Sequence, residues 1–406
     1  MMGRAIAIFA LLALFVPINI SAGSFSGKPL DFVLSDMFML LFPVGFYFLV
    51  SRGLTGIAYC YTAAIFLYFF VCVLIILFSQ SWNDGGWASV ASFLRAFRPF
   101  LAFYVGYIVL RWSGFALEKW SVYIAVVFVW VIFLSDLIFN HRFPLPRWGG
   151  LFFGLDVYGF PNSPAFFYVA VLSIVVSACL SLKNYQVLFL MSAVLMSMIV
   201  IFVGSRNAIV SLLLLFFFLF LRGHIKLKYL MYFLPFVIGA AVFVSWMQVD
   251  TAILEVKASR TIDEGVFYGR EDVWRDVLEL VVQRPLLGYA FEPLSLNYSS
   301  HGTAHNQYIE YMYKTGFLGF LVLLVIWFFI GKSLWYASKV YSGSFLGVFY
   351  GALFCVFLVA VFSNLAQPNF TYTITQYFFV FYAGAAWSRI RRLREAENET
   401  STSRYV

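Results

Sequence analysis

Histidine is the side chain best suited to exchanging a proton near neutral pH. His305 lies in Ala304-His305-Asn306-Gln307-Tyr308, at the head of a long apolar run. The positive end of a helix dipole there disfavours an imidazolium and leaves a neutral imidazole able to act as a general base. His141, His224 and His301 read as ordinary loop residues. Arg206, within Gly204-Ser205-Arg206-Asn207-Ala208, stands between two apolar runs with almost no loop. An arginine at the edge of the hydrocarbon either serves function or snorkels to lipid headgroups. Arg95 and Arg98 are three residues apart and share a helix face, placed to clamp a phosphate or to meet headgroups. Lys257, Arg260, Arg270, Arg275 and Arg284 fall within 248–304. A base accompanied by these cations points to an anionic ligand. The four cysteines, Cys60, Cys72, Cys179 and Cys355, each sit in an apolar run, without CxxC or a histidine pair at helical spacing, so a metal site is not expected.

The elements that carry these residues are membrane helices. The chain is 63% hydrophobic and 11% charged over 406 residues, against about 45–50% and 25% in soluble domains. That excludes a soluble enzyme, a secreted disulfide scaffold and a disordered chain. Apolar runs fall at about 6–22, 31–50, 56–78, 94–110, 121–139, 164–182, 185–203, 207–221, 229–247, 306–331, 344–364 and 372–388. A span needs about 20 apolar residues, so the expected fold is an all-α polytopic membrane protein of about 12 transmembrane helices. With the N-terminus inside, alternate short loops carry Arg52, then Arg111 and Lys119, Lys183, Arg222 with Lys226 and Lys228, Lys332 with Lys339, and Arg389, Arg391, Arg392 and Arg394. This obeys the positive-inside rule with both termini cytoplasmic. It also accounts for the net charge of +8 without a nucleic-acid partner. Arg4 and the small Ser21-Ala22-Gly23 leave a signal peptide as the alternative for the first run. The tail beyond Ser388 reads as disordered.

The organisation expected is therefore helices one to nine over 1–247, a large outer loop over 248–304, helices ten to twelve over 305–388, and a cytoplasmic tail over 389–406. Within the loop, Gly269 to Gln283 reads as an amphipathic helix with Val273, Val277, Leu280 and Val281 on one face. Glu271 and Asp272 suit its first turn, and Pro285 with Gly288 stop it. Such a helix lies on the membrane surface or lids a cavity.

His305-Asn306, nine residues, Gly316, two residues and Gly319 resemble the H-[N/S/Q]-x9-G-x-x-[G/T/Y] motif of the O-antigen ligase and polymerase superfamily of bacterial envelope enzymes. Tyr268-Gly269-Arg270-Glu271-Asp272-Val273-Trp274 and Arg284-Pro285-Leu286-Leu287-Gly288 are similar to that family's G-R-x-x-x-W and P-L-L-G elements. Arg206 sits where the family carries another functional arginine. The resemblance is strongest over about 190–330 and implies a GT-C-like glycosyltransferase of the bacterial inner membrane, with its active site facing the periplasm and neither metal nor other cofactor. The donor would be an undecaprenyl-pyrophosphate-linked oligosaccharide. Arg206 and Arg270 would meet the departing pyrophosphate, because the guanidinium fork bonds phosphate at two points and keeps its proton. Arg95, Arg98, Arg275 and Arg284 are secondary candidates. His305 would be the base that deprotonates the acceptor hydroxyl, and direct displacement would invert the anomeric centre. Asn306 would orient His305 or the sugar, or cap the helix. Glu310, one turn further in, would pair with an arginine of the cavity, and Gly316 with Gly319 would let membrane helices approach closely.

The resemblance serves a polymerase, which joins one carrier-linked repeat to another glycan, and a ligase, which passes the glycan to the lipid A core. Arg284 to Tyr289 and Tyr308-Ile309-Glu310 look more like polymerases of O-antigen and exopolysaccharide, and the single large outer loop suits a ligase. The polymerase reading is preferred. Expected partners are membrane lipids, the glycan or lipid A core acceptor, and a chain-length regulator. A carrier-lipid flippase or transporter is the non-enzymatic alternative, against which stand charges gathered on one face and halves that do not mirror each other. A peptidoglycan polymerase is disfavoured because its loop pattern with a catalytic aspartate does not match.

Overall fold

The structure, a computed structural model, describes residues 2–15, 19–25, 28–78, 82–114, 117–140, 151–152, 155–156, 162–202, 206–226, 239, 270–292, 294, 304–365 and 373–402. Helices dominate it. They are α1 (Met2–Phe15), α2 (Phe38–Ser51), α3 (Gly56–Phe78), α4 (Trp82–Phe97), α5 (Ala102–Ser113), α6 (Leu117–Asn140), α7 (Asn162–Ser181), α8 (Gln186–Phe202) and α9 (Arg206–Leu221). Then follow α10 (Arg270–Gln283), α11 (Gln307–Val340), α12 (Phe345–Ser363) and α13 (Thr373–Thr402). Among the described residues five segments are long and apolar enough to cross a bilayer: Gly56–Phe78, Ser89–Ser113, Leu117–Leu134, Gln307–Val340 and Phe345–Ser363. Five shorter apolar helices accompany them. The expected span at 229–247 lies outside the described residues except for 239.

Three sequence expectations change. The first run ends as a helix at Phe15, two residues before Pro17, which cannot donate to a continuing helix. Asn19–Phe25 (β1) then pairs antiparallel with Lys28–Val33 (β2), where the first span was expected to run on to residue 22. A second, two-residue pairing joins Leu151–Phe152 (β3) to Leu155–Asp156 (β4), so short hairpins supplement the expected all-helical fold. The tail is the third change. It continues α13 as helix to Thr402, because its charges have partners. Glu395 bridges Arg111 of α5 at 2.9 Å and Arg391 one turn back at 3.2 Å.

The centre of the bundle is α5 against α13. Residues 102–110 and 374–390 are buried on every face, as expected for helices apolar all round. Their backbones meet where glycine permits it. A Cβ at Gly106 would strike the Phe381 carbonyl, and one at Gly384 the Phe103 carbonyl. Gly45 of α2 makes the same kind of approach to Tyr104. One end of the bundle is tied by charge. Arg389 pairs with Glu118 at 2.6 Å, both side chains 1% exposed, and Tyr350 donates to the same carboxylate at 2.8 Å. Arg391 and Arg392 donate to backbone carbonyls of Arg52, Gly53 and Arg111. These are loops whose cations the sequence assigns to a common side.

Candidate active site at the opposite end

The amphipathic segment of the long loop forms as α10, with Glu271 and Asp272 in its first turn. Val273 and Val277 are buried and pack with Tyr289, Leu294, Ala304, Ile309 and Tyr313, joined by Trp274, Leu280 and Val281. The apolar face is thus docked on the start of α11. Trp274 fixes the register by donating its indole N–H to the Ala304 carbonyl at 2.8 Å. That bond ties the tryptophan of the upstream motif to the residue before His305.

Past Gln283 the chain turns onto α11, which is broken. Gly316 has φ +60° and ψ −173° inside an otherwise helical segment, a conformation essentially reserved for glycine. Such a break separates the N–H groups of Phe317 and Leu318 from the carbonyls of Tyr313 and Lys314, four residues back. The loop makes good both losses. Phe317 donates to the Pro285 carbonyl at 2.8 Å and Leu318 to the Leu286 carbonyl at 3.4 Å. In return Tyr289 donates to the Tyr313 carbonyl at 2.8 Å and Phe291 to the Lys314 carbonyl at 3.1 Å. Inside a membrane an irregular backbone is tolerated only when its polar groups are satisfied this way. The exchange demands contact between two backbones. A Cβ on Gly288 would lie 2.5 Å from the Tyr313 carbonyl oxygen, and one on Gly316 2.5 Å from the Leu287 nitrogen. Both glycines have positive φ, and Ala290 and Phe291 turn through the left-handed region to deliver their share. The close approach at Gly316 is therefore to a loop, not to a neighbouring helix as the sequence suggests. Gly319 faces Thr315 of its own helix, whose Oγ1 would be 2.7 Å from an added Cβ.

His305 stands one residue before the N-cap of α11 with φ +51°, a costly left-handed backbone for a non-glycine residue. Its surroundings hold it there. Asn306 caps α11, its side-chain oxygen accepting from Tyr308 and Ile309 at 3.0 and 3.2 Å. Gln307 donates its backbone N–H to the Asn364 carbonyl at the end of α12 at 2.9 Å. Tyr308 donates to the Val361 carbonyl at 2.5 Å. Of the two uses open to Asn306 from sequence, capping is the one its contacts display. Glu310 is buried and pairs with Lys314, its i,i+4 neighbour, at 2.6 Å.

The cations divide. Arg284 lies over the Tyr289 ring at 4.7 Å, and Tyr289 stacks on Tyr313 at 4.7 Å. A cavity of about 420 Å³ opens there, lined by Arg284, Pro285, Leu286, Leu287 and, from α3, Ile75 and Phe78. Arg95 is exposed near the end of α4, and α4 reaches the loop through Phe93 against Phe291 at 5.4 Å. Arg270 opens α10 and is half-buried. Arg98 has a carboxylate partner. It bridges Asp36 at 2.6 Å, and Tyr377 donates to the same carboxylate at 2.8 Å, so the contact joins the turn before α2, the turn after α4, and α13. Arg275 is exposed and pairs with Asp272 at 2.7 Å. Arg206 begins α9, which packs on α7, α8 and α12. Its side chain, and Lys257, Arg260 and His301, lie outside the described residues.

The Trp274 link and the loop that completes α11 escaped sequence reading, although Gly288 and Gly316 marked where two backbones had to meet. The Lys314 partner was available from the i,i+4 spacing alone.

No curated protein matches the chain. A family model described as O-antigen ligase matches residues 191–324, about a third of the length, from α8 through the broken turn of α11 and including Arg206, Arg270, Arg284 and His305. That family suggests a glycosyltransferase-type enzyme acting on a lipid-linked glycan and an acceptor. The match falls on the same segment that carries the motifs, and there the chain is similar to the O-antigen ligase family.

Proposed function

We propose that the protein transfers a glycan from a polyprenyl-pyrophosphate carrier to an acceptor hydroxyl, with His305 as general base. His305 takes the acceptor's proton as the oxygen attacks the anomeric carbon. The carbon–oxygen bond to the pyrophosphate breaks, the configuration inverts, and the lipid pyrophosphate departs with its electron pair. Arg206, Arg270, Arg284 and Arg95 meet that charge, so the cationic role falls to guanidinium groups rather than a metal. Arg98, which bridges Asp36 through one nitrogen, stays a secondary candidate with its remaining donors. A correctly placed donor of this kind contributes about 100–1000-fold, and a general base about 100–10,000-fold.

The observation that carries this reading is the fixing of His305 from both sides. Trp274 holds the residue before it and Asn306 caps the helix after it. The site then faces the periplasm of a bacterial inner membrane, with both termini cytoplasmic and twelve spans in all.

Polymerisation is the preferred reaction, supported by the compact Arg284 to Tyr289 run and Tyr308-Ile309-Glu310. Transfer to the lipid A core is the second reading, favoured by the description of the matching family as O-antigen ligase. Purified protein given carrier-linked repeats alone separates the two. Longer carrier-linked chains establish the polymerase; product formed only after lipid A core is added overturns it in favour of the ligase.

A further inference from the structure

The end of the bundle away from His305 contains a second polar cavity. It occupies about 590 Å³ where α9, α11 and α12 converge, and its lining includes Arg222, His224, Ser338, Lys339, Ser342 and Ser344. Arg222 is held across it, donating to Ser338 Oγ at 2.5 Å with its guanidinium 5.4 Å from the Phe354 ring centre. That contact occupies a fraction of the guanidinium's five donors. Among the described residues no carboxylate bridges Arg222 or Lys339. His224 Nε2 is buried and has no hydrogen-bond partner among them. Burial, reinforced by the Arg222 charge, holds His224 below its ordinary value. Its ring is therefore neutral and packs its Nε2 against Gly351 of α12. Uncompensated cations and serine hydroxyls in one cavity are suited to a phosphate.

The apolar surroundings identify what carries that phosphate. Phe354, on which Arg222 rests, also belongs to a groove of about 480 Å³ between α11 and α12, walled by Trp327, Phe328, Trp335 and Phe357. A polar cavity at a helix end that adjoins an apolar groove has the division of a phospholipid. Basic pockets between membrane helices on a cytoplasmic side bind such headgroups.

We propose that this cavity binds the phosphate of an anionic phospholipid, with an acyl chain lying in the α11–α12 groove. It is separate from the donor site, which the His305 end of the bundle supplies.

Native mass spectrometry of the full chain in detergent tests this with phosphatidylglycerol, phosphatidylcholine and inorganic phosphate as probes. Lys339→Gln and Ser342→Glu alter exposed residues at the cavity and leave the packed core intact. Phosphatidylglycerol is expected to be retained at one per chain, and each variant to bind it about fivefold to tenfold more weakly, as one fewer basic residue or one added carboxylate implies. Phosphatidylcholine is expected to bind at least as weakly as the variants do. Equal retention by wild type and Ser342→Glu overturns the site. Inorganic phosphate binding as tightly as phosphatidylglycerol overturns the lipid and leaves a small-anion pocket.

Discussion

Gly316→Ala tests whether the loop completes α11. The added methyl meets two obstacles. A side chain at φ +60°, ψ −173° costs about 1–3 kcal/mol in backbone strain. The Cβ would also lie 2.5 Å from the Leu287 nitrogen and closer still to the Leu286 carbonyl, so the loop must withdraw. Withdrawal sacrifices four backbone hydrogen bonds, those of Phe317, Leu318, Tyr289 and Phe291, each worth about 0.5–1.5 kcal/mol. Together these bonds favour the docked loop by about 4 kcal/mol, about a thousandfold at 1.4 kcal/mol per decade, and the strain and clash of the added methyl act directly against that preference. Gly53→Ala is the control, because Gly53 has φ +79° but nothing within 4 Å of an added Cβ. The assay is limited proteolysis across 284–291 together with thermal unfolding in the same detergent. Gly316→Ala is expected to be cut rapidly there and to lose much more stability than Gly53→Ala. If the two variants behave alike, the loop does not hold the broken helix and the reasoning fails.

Asn306→Ala should cost about 0.5–2 kcal/mol as a lost cap, and Asn306→Asp should restore both stability and transfer; failure of the aspartate to restore transfer would give Asn306 a role toward substrate. Trp274→Phe removes the bond to Ala304 while keeping an aromatic ring, so kcat should drop about tenfold at the 1.4 kcal/mol of one hydrogen bond, with helicity by circular dichroism unchanged. Glu118→Ala leaves Arg389 buried without its carboxylate and should destabilise by about 3–5 kcal/mol, read by thermal unfolding. Burial alone would raise Glu395, but hydrogen bonds and charge from Arg111 and Arg391 outweigh it and hold the carboxyl below its ordinary value. The tail contact is therefore present above the unfolded-state value and lost as pH falls through the folded one. Proteolysis of 395–402 should increase in acid, and Glu395→Gln should abolish that pH dependence.

The apolar, helical character of the fold was legible because it rests on long apolar runs. The amphipathic helix was readable to within a residue, since Val273 and Val277 keep helical period and Pro285 stops it. Contacts between distant segments were less accessible. Arg98 and Asp36 are far apart in sequence, so nothing local announced their ion pair. The tail looked disordered from composition, yet Glu395 finds Arg111 across 284 positions. Gly316 was visible as a motif residue, but its partner is the backbone of 285–291, which carries no side-chain signal.

The central claim is that His305 takes the proton from the acceptor hydroxyl. Its most direct test is glycan transfer by purified wild type and His305→Ala, supplied with carrier-linked donor and whichever acceptor the wild type uses. The account predicts a loss of about 100-fold or more, with helicity and donor binding preserved. Transfer by His305→Ala at the wild-type rate would contradict it.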